Sequence, residues 1–169
     1  MKTGVKVCDA MTKEPILVKA NETLVNCAKQ MKEHRISALL VKDEGELGIL
    51  TDKDIVRKLV AENKNPIELK ARDVMTTVLQ TVSPAHDIFE ALTKMGSHDV
   101  NHMPVVDQGN LIGLLTVKDI LKIEPQLFDI LVDKFEIREE ESKLQALDRK
   151  GSELKKEEIA DEEVEKLIG

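Results

Sequence analysis

The chain has 169 residues, a net charge of −7, and neither Trp nor Tyr. This length fits one compact domain or a close pair of half-domains followed by a tail. No apolar run approaches the roughly 20 residues that span a bilayer, and the N-terminus carries no charged-then-apolar leader, so we expect a cytoplasmic protein without a membrane partner.

Acidic charge is concentrated at the C-terminal end. Of the 32 acidic and 25 basic residues, 13 acidic and 8 basic ones lie in residues 133–169, leaving 19 acidic and 17 basic in the rest of the chain. A nearly neutral body with an acidic tail has the wrong charge for tracking nucleic-acid phosphates. The composition therefore argues against a DNA or RNA partner.

The first half of the chain predicts, in order, a strand, an amphipathic helix, two strands joined by a turn at Gly45, and a second helix. Positive φ would be inexpensive for Gly45 in that turn. Cys27 shares the apolar face of the first helix and is expected to be a small core residue. Neither Cys8 nor Cys27 has the spacing of a zinc site or a disulfide framework. The predicted elements cover residues 16–18, 22–33, 37–42, 47–50 and 52 onward.

The same order of elements recurs at an offset of 64 residues, which one inserted residue near Ile112 changes to 65. Two similar half-units in tandem predict a pseudo-symmetric body whose functional sites come in twos. Because a unit of about 60 residues is marginal alone, the halves are expected to pack on each other. The repeated elements cover residues 79–82, 88–95, 102–106, 111–115 and 117 onward.

These patterns predict an α/β (α+β) fold of two β-α-β-β-α motifs, packed as a pseudo-two-fold module and followed by a helical tail. Pro125 can begin a helix in that tail, and we expect its apolar stripe of Leu127, Ile130, Leu131 and Lys134, as far as Phe135, to dock on the module or on a second subunit. The predicted segments are a first motif at 5–62, a linker at 63–70, a second motif at 71–123 and an acidic helical tail at 124–169.

Each half carries a Thr-x-x-Asp turn where an apolar strand runs into a helix, with Thr51 and Asp54 in one half and Thr116 and Asp119 in the other. One interpretation is a capping box, in which the threonine caps the helix and the aspartate closes the first turn. The other is a ligand site, because free N–H groups at a helix start suit a phosphate and a carboxylate accepts hydrogen bonds from a ribose diol. With no Trp or Tyr in the chain, a base would be held by aliphatic side chains and strand backbone.

Three motifs carry a resemblance to a known family. They are Asp-x-Met-Thr at 9–12 and 73–76, His-Met-Pro-Val-Val-Asp at 102–107, and Gly-x-x-Thr-x-x-Asp at 48–54 and 113–119. In this register, residues 5–123 resemble a tandem pair of cystathionine β-synthase (CBS) domains, also called a Bateman module. The resemblance implies two motifs packed face to face, a homodimer formed through helical faces, and two clefts that receive an adenosyl ligand such as AMP, ADP, ATP or S-adenosylmethionine.

The resemblance also assigns residues to the clefts. Each cleft takes the Thr-x-x-Asp turn and the middle strand from one half, and the Met-Thr segment and first strand from the other. In both, the aspartate is the implied ribose acceptor and the threonine the phosphate-side donor. The Asp119 cleft comprises Met11, Thr12, Ile16, His102, Met103, Thr116, Lys118 and Asp119. The Asp54 cleft comprises Ser37, Ala38, Thr51, Lys53, Asp54, Met75, Thr76 and Gln80.

The two clefts are expected to differ. His102 is interpreted as a donor directed towards a phosphate, whereas its counterpart in the first half is Ala38. The family's proline is kept as Pro104 but is Leu40 in the first half. We therefore expect the Asp119 cleft to bind its ligand more tightly.

The sequence predicts a non-catalytic regulatory sensor that binds an adenosyl ligand and transmits its occupancy to a partner, with the C-terminal tail as a further protein-binding element. The alternative is a protein-interaction scaffold with empty clefts, in which the Thr-x-x-Asp turns only cap helices. An enzyme would need a nucleophile–base pair or paired carboxylates in one cleft. Asp54 and Asp119 fall in separate turns, so we expect no catalysis, no metal and no obligatory cofactor.

Overall fold

The computed structural model describes residues 2–129, 132–133 and 144. The chain forms two compact units, Met1–Pro125 and Gln126–Gly169. A short 3-10 helix spans Pro125–Leu127. Most of the predicted helical tail at 124–169, including Ile130, Leu131, Lys134 and Phe135, lies outside the described residues.

The first half follows the predicted order of elements. β1 pairs in parallel with β2, and β2 pairs antiparallel with β3. Gly45 forms the predicted turn between β2 and β3 at a φ of 103°. The elements are α1 (Val7–Ala10), β1 (Leu17–Lys19), α2 (Leu24–His34), β2 (Ala38–Asp43), β3 (Glu46–Thr51) and α3 (Asp52–Ile55), which continues as a π-helix over Val56–Val60.

The second half repeats this order with one difference, which concerns its first strand. β4 and β5 pair antiparallel, and Gly109 forms the turn between them at a φ of 81°. The elements are α4 (Ala71–Val74), α5 (Ile88–His98), β4 (His102–Asp107), β5 (Asn110–Thr116) and α6 (Val117–Ile123).

The strand predicted at 79–82 is reduced to a single parallel bridge between Val82 and Val105. In the first half, the amide of Leu40 donates to the carbonyl of Ile16 at 3.1 Å and extends the β1–β2 ladder. Pro104 stands at the position equivalent to Leu40 and has no N–H to donate. The corresponding bond to the carbonyl of Gln80 therefore cannot form, and the prediction of a full strand was wrong.

Helix α5 buries the whole apolar stripe that its spacing predicted. Helix α2 buries Leu24, Cys27 and Met31 but leaves Ala28, predicted for the same face, exposed. Thr23 caps α2 by accepting a hydrogen bond from the amide of Asn26, and Asp87 caps α5 by accepting one from the amide of Phe89. Cys27 is completely buried on α2, as expected of a core residue, and burial raises the pKa of its thiol to about 11. In the part of the chain that the structure describes, no helix is long and apolar enough to cross a membrane.

The opening segment of each half packs on the other half. The amide of Ile88 donates to the carbonyl of Val5 at 3.0 Å, and the equivalent amide of Leu24 donates to the carbonyl of Leu69 at 3.2 Å. Helix α4, which opens the second half, contributes buried side chains to the core of the first half. The two halves therefore exchange their first segments and are interleaved along the chain.

A second apolar cluster joins the strands of the two halves. It buries Ala38 and Leu40 of β2 and Ile49 of β3 together with Leu114 of β5. This shared core confirms that the halves pack on each other. It also fixes β3 and β5, the two strands that lead into the Thr-x-x-Asp turns.

Candidate functional site

Both Thr-x-x-Asp turns form closed capping boxes. The hydroxyl of Thr51 donates to Asp54 Oδ2 at 2.7 Å and accepts from the Asp54 amide at 3.2 Å, while Asp54 Oδ2 also accepts from the Thr51 amide at 2.9 Å. Thr116 and Asp119 repeat these bonds at 2.7, 3.1 and 3.1 Å. The predicted N-cap and N3 positions are confirmed. Each threonine hydroxyl donates its only proton to the aspartate. To donate to a phosphate instead, the hydroxyl would have to rotate away from the aspartate.

Each Met-Thr segment lies against the strand that leads into the turn of the other half. Thr12 and Leu114 exchange two backbone hydrogen bonds of 2.9 Å. Thr76 and Ile49 exchange equivalent bonds of 2.8 and 2.9 Å. Leu114 and Ile49 each precede the capping threonine by two residues. The structure thus brings together the segments that were predicted to meet in each cleft.

The glycine that begins each Gly-x-x-Thr-x-x-Asp motif permits this close approach of the Met-Thr segment to the strand. A Cβ atom on Gly113 would lie 2.8 Å from the carbonyl oxygen of Thr12 and 2.6 Å from Met11 Sδ. On Gly48 it would meet the side chain of Met75, with Cγ at 3.0 Å. Sequence reasoning assigned these glycines no role, although their repetition at the same place in both motifs was the available signal.

In the Asp54 cleft, Lys58 is a site residue that sequence reasoning missed. Its Nζ lies 2.7 Å from Asp54 Oδ1 and also donates to the carbonyl of Val74 at 2.8 Å and to Thr76 Oγ1 at 3.3 Å. Burial raises the pKa of Asp54, but hydrogen bonds from Lys58 and Thr51 outweigh it and leave the pKa below its ordinary value of 3.8. The spacing of four residues between Asp54 and Lys58 on one helical face was the signal.

Among the described residues, the Asp119 cleft has no cation equivalent to Lys58. The residue that aligns with Lys58 is Ile123, which is 41% exposed. Within residues 2–129, 132–133 and 144, no lysine or arginine forms an ion pair with Asp119. Its Oδ2 accepts the same two hydrogen bonds from Thr116 that Asp54 Oδ2 accepts from Thr51, so the two clefts differ at Oδ1.

His102 is hydrogen-bonded to a residue of the other half. Its Nε2 lies 2.9 Å from the hydroxyl of Ser37, a residue predicted for the other cleft. Burial lowers the pKa of His102, an effect that Asp52 and Asp119 oppose and that Lys53 reinforces. The interpretation of His102 as a donor directed at a phosphate omitted this contact, because packing of the two halves brings together the starts of β2 and β4.

The remaining predicted residues occupy varied environments. The side chains of Met103 and Ala38 are buried in the core, so only their backbone atoms can face a ligand. Lys53 and Lys118 are exposed in the first turns of their helices. Ile16 bonds to β2 of its own half through its carbonyl. Gln80 is half-buried, two residues before the bridge at Val82.

Comparison with known proteins identifies the family. The family model described as "CBS domain" matches residues 7–61 and 71–125, one copy in each half. The chain belongs to the CBS domain family. CBS domain pairs are regulatory modules and are generally non-catalytic, and the predicted fold class is confirmed by solved CBS pairs.

Relatives of this CBS pair include proteins with a bound ligand or a known assembly. The CBS domain-containing protein YhcV of Bacillus subtilis is 33% identical over 115 residues, covering 68% of this chain and 81% of YhcV. The CBS domain pair of protein MJ0100, solved in complex with 5′-methylthioadenosine and S-adenosyl-L-methionine, is 32% identical with a TM-score of 0.62, covering 70% of this chain and 98% of that one. A hexameric CBS-CP12 protein from bloom-forming cyanobacteria is 25% identical with a TM-score of 0.64, covering 69% of this chain and 66% of that one.

Proposed function

We propose that this CBS pair is a non-catalytic sensor that binds an adenosyl ligand in the Asp119 cleft and passes its occupancy to a partner. The observation that carries the proposal is the state of the Asp119 carboxylate. Thr116 holds Oδ2 at the strand-to-helix corner, and no described lysine or arginine pairs with Oδ1. An ionised carboxylate oxygen with unused lone pairs is an acceptor for the hydroxyls of a ribose.

The ligand class follows from the same geometry. A ribose on Asp119 lies at the start of α6, where the positive end of the helix dipole favours a negatively charged substituent, although the amides of Val117 and Asp119 already donate to the carbonyl of Asn101 and the hydroxyl of Thr116. The half-buried side chain of Met11, which lies against Gly113 of β5, offers an apolar surface for a base. The bound adenosyl compounds of the MJ0100 pair support this class, since both contain a ribose.

Transmission is proposed to use the exchanged segments. A ligand in the Asp119 cleft contacts α6 of one half and the Met11–Thr12 segment of the other, which are joined through the two Thr12–Leu114 hydrogen bonds. Its affinity therefore depends on how closely these parts approach, and it shifts the protein towards the arrangement that it binds better. We further propose that the protein acts as a homodimer, an expectation supported by the assembly of the hexameric relative, and that the acidic tail contacts a protein partner.

The scaffold alternative is favoured by one observation, the closed capping boxes that use both threonine hydroxyls. Isothermal titration of the purified protein with AMP, ATP and S-adenosyl-L-methionine separates the two functions. The sensor binds at least one of them with a stoichiometry of one per chain, whereas a scaffold binds none.

Matched aspartate variants locate the binding. Asp119→Ala removes a charged acceptor, which contributes about 1.5–3 kcal/mol, and is expected to weaken binding by about tenfold or more. Asp54→Ala breaks the equivalent capping box in the other half and is the control for loss of the cap, with a change of less than about threefold. Circular dichroism confirms that both variants are folded. A larger loss of affinity in Asp54→Ala than in Asp119→Ala would contradict the proposal.

A further inference from the structure

Lys58 joins the two chain segments that were assigned to the Asp54 cleft. It belongs to the helical segment that follows Asp54, yet two of its three partners, the Val74 carbonyl and Thr76 Oγ1, lie on the opening segment of the second half. The third partner is Asp54 Oδ1 at 2.7 Å. The ammonium group therefore lies between the corner and the Met-Thr segment, where a ligand would have to bridge them.

Lys58 has no hydrogen-bonding capacity left for a ligand. An ammonium group has three N–H donors, and its three oxygen partners account for all of them. Although lysine commonly binds phosphate, a phosphate here would have to displace a carboxylate or a backbone carbonyl. The side chain of Asp54 is only 15% exposed, so separating this pair would leave a poorly solvated charge.

The second half provides the internal comparison. The capping box and the Met-Thr segment occur in both halves with nearly the same distances. The difference at the aspartate is the residue four positions on, which is Lys58 after Asp54 and Ile123 after Asp119. An isoleucine cannot pair with a carboxylate, and no lysine or arginine in the described part of the chain pairs with Asp119 Oδ1.

We propose that Lys58 is a built-in occupant of the Asp54 cleft and limits the chain to one adenosyl ligand. The inference deepens the proposed function and rests on it. Lys58 is thus a residue that determines which of two duplicated clefts is used, by satisfying the acceptor that the ribose would need.

The test exchanges the two helical residues. Lys58→Ile installs the residue of the second half, and Lys58→Met is a second variant of similar length in case the first folds poorly. Titration calorimetry with AMP and, separately, S-adenosyl-L-methionine is expected to show one more bound equivalent per chain than in the native protein. Adding Asp54→Ala to either variant should remove that extra equivalent. The reverse exchange, Ile123→Lys, is expected to weaken the native site by about tenfold or more.

A ligand-free measurement accompanies the titration. Carboxyl NMR of the native protein and Lys58→Met reports the pKa of Asp54, which rises when the ammonium is removed because its hydrogen bond favours the ionised form. An unchanged Asp54 pKa would overturn the contact on which the inference depends.

The stoichiometries separate this inference from the proposed function. One equivalent in the native protein and one in the Lys58 variants overturns the inference and leaves the sensor function intact, and two in the native protein also overturns the inference. None in the native protein and one in the variants overturns ligand binding at Asp119 while supporting the role of Lys58. No binding by any variant overturns both.

Discussion

Replacing Gly113 by alanine tests the close contact between β5 and the exchanged Met11–Thr12 segment. The added Cβ would lie 2.8 Å from the carbonyl oxygen of Thr12 and 2.6 Å from Met11 Sδ. The methionine side chain can rotate away, but the carbonyl is held by the pair of 2.9 Å hydrogen bonds with Leu114. Relief of the contact therefore requires the segment to move off the strand.

The magnitude follows from these contacts. Overpacking typically costs about 1–3 kcal/mol, and weakening two backbone hydrogen bonds adds about 0.5–1.5 kcal/mol each. Replacing glycine within a strand returns roughly 0.5–1 kcal/mol of backbone entropy. We expect Gly113→Ala to lower the free energy of unfolding by about 2–4 kcal/mol.

Gly48→Ala is the matched control in the other half. The nearest atoms to its added Cβ all belong to the side chain of Met75, and methionine adapts readily to new volume. Its cost should be about 0–1 kcal/mol, the overpacking being offset by the entropy gain. Urea denaturation followed by far-UV circular dichroism measures both variants. Equal costs, or a larger cost for Gly48→Ala, would refute the reasoning that a fixed carbonyl distinguishes the two positions.

Three further predictions concern single side chains. Burial holds the pKa of His102 below 6.5, so the unfolded chain binds the proton more readily than the folded one. The free energy of unfolding should therefore fall as the pH drops below 6.5, by at most about 1.4 kcal/mol per pH unit. Chemical denaturation of His102→Asn should show a shallower pH dependence, and an identical one would contradict the assignment. A thiol reagent should modify one cysteine of the native protein, the partly exposed Cys8, and two after denaturation, because Cys27 is buried; mass spectrometry of the labelled peptides checks this, and labelling of native Cys27 would count against the core assignment. Thr116→Ala should lower the free energy of unfolding by about 1 kcal/mol through loss of the cap, as should Thr51→Ala, and thermal denaturation that leaves either variant unchanged would show that its capping box does not stabilise the fold.

Local features of this fold could be predicted from the sequence because their causes are local. The stripes of α2 and α5, the turns at Gly45 and Gly109 and the capping boxes depend on residues within one or two helical turns. The pairing of each Met-Thr segment with the other half followed from the family resemblance instead. The backbone bonds of Thr12 and Thr76 bear out that pairing.

Features that depend on contacts between the halves could not be predicted. The Ser37–His102 hydrogen bond joins residues 65 positions apart, and the partners of Lys58 on the second half lie 16 and 18 positions away. Neither contact leaves a periodic signal in the sequence. Pro104, which prevents the strand at 79–82, is visible in the sequence. Predicting its effect required knowing that the amide at this position would pair with the carbonyl of Gln80.

The exchange of opening segments has a consequence for chains that carry a single copy. In such a chain, the opening segment would have no partner, because Val5 bonds to Ile88 and Leu69 to Leu24 of the other half. The start of the long helix would in turn lack the opening segment that packs on it. Two single-copy chains can restore both contacts by exchanging their opening segments, which is reciprocal domain swapping. The tandem chain then corresponds to a swapped dimer whose subunits are covalently joined, so its two halves are free to diverge in sequence, as Lys58 and Ile123 at equivalent positions illustrate.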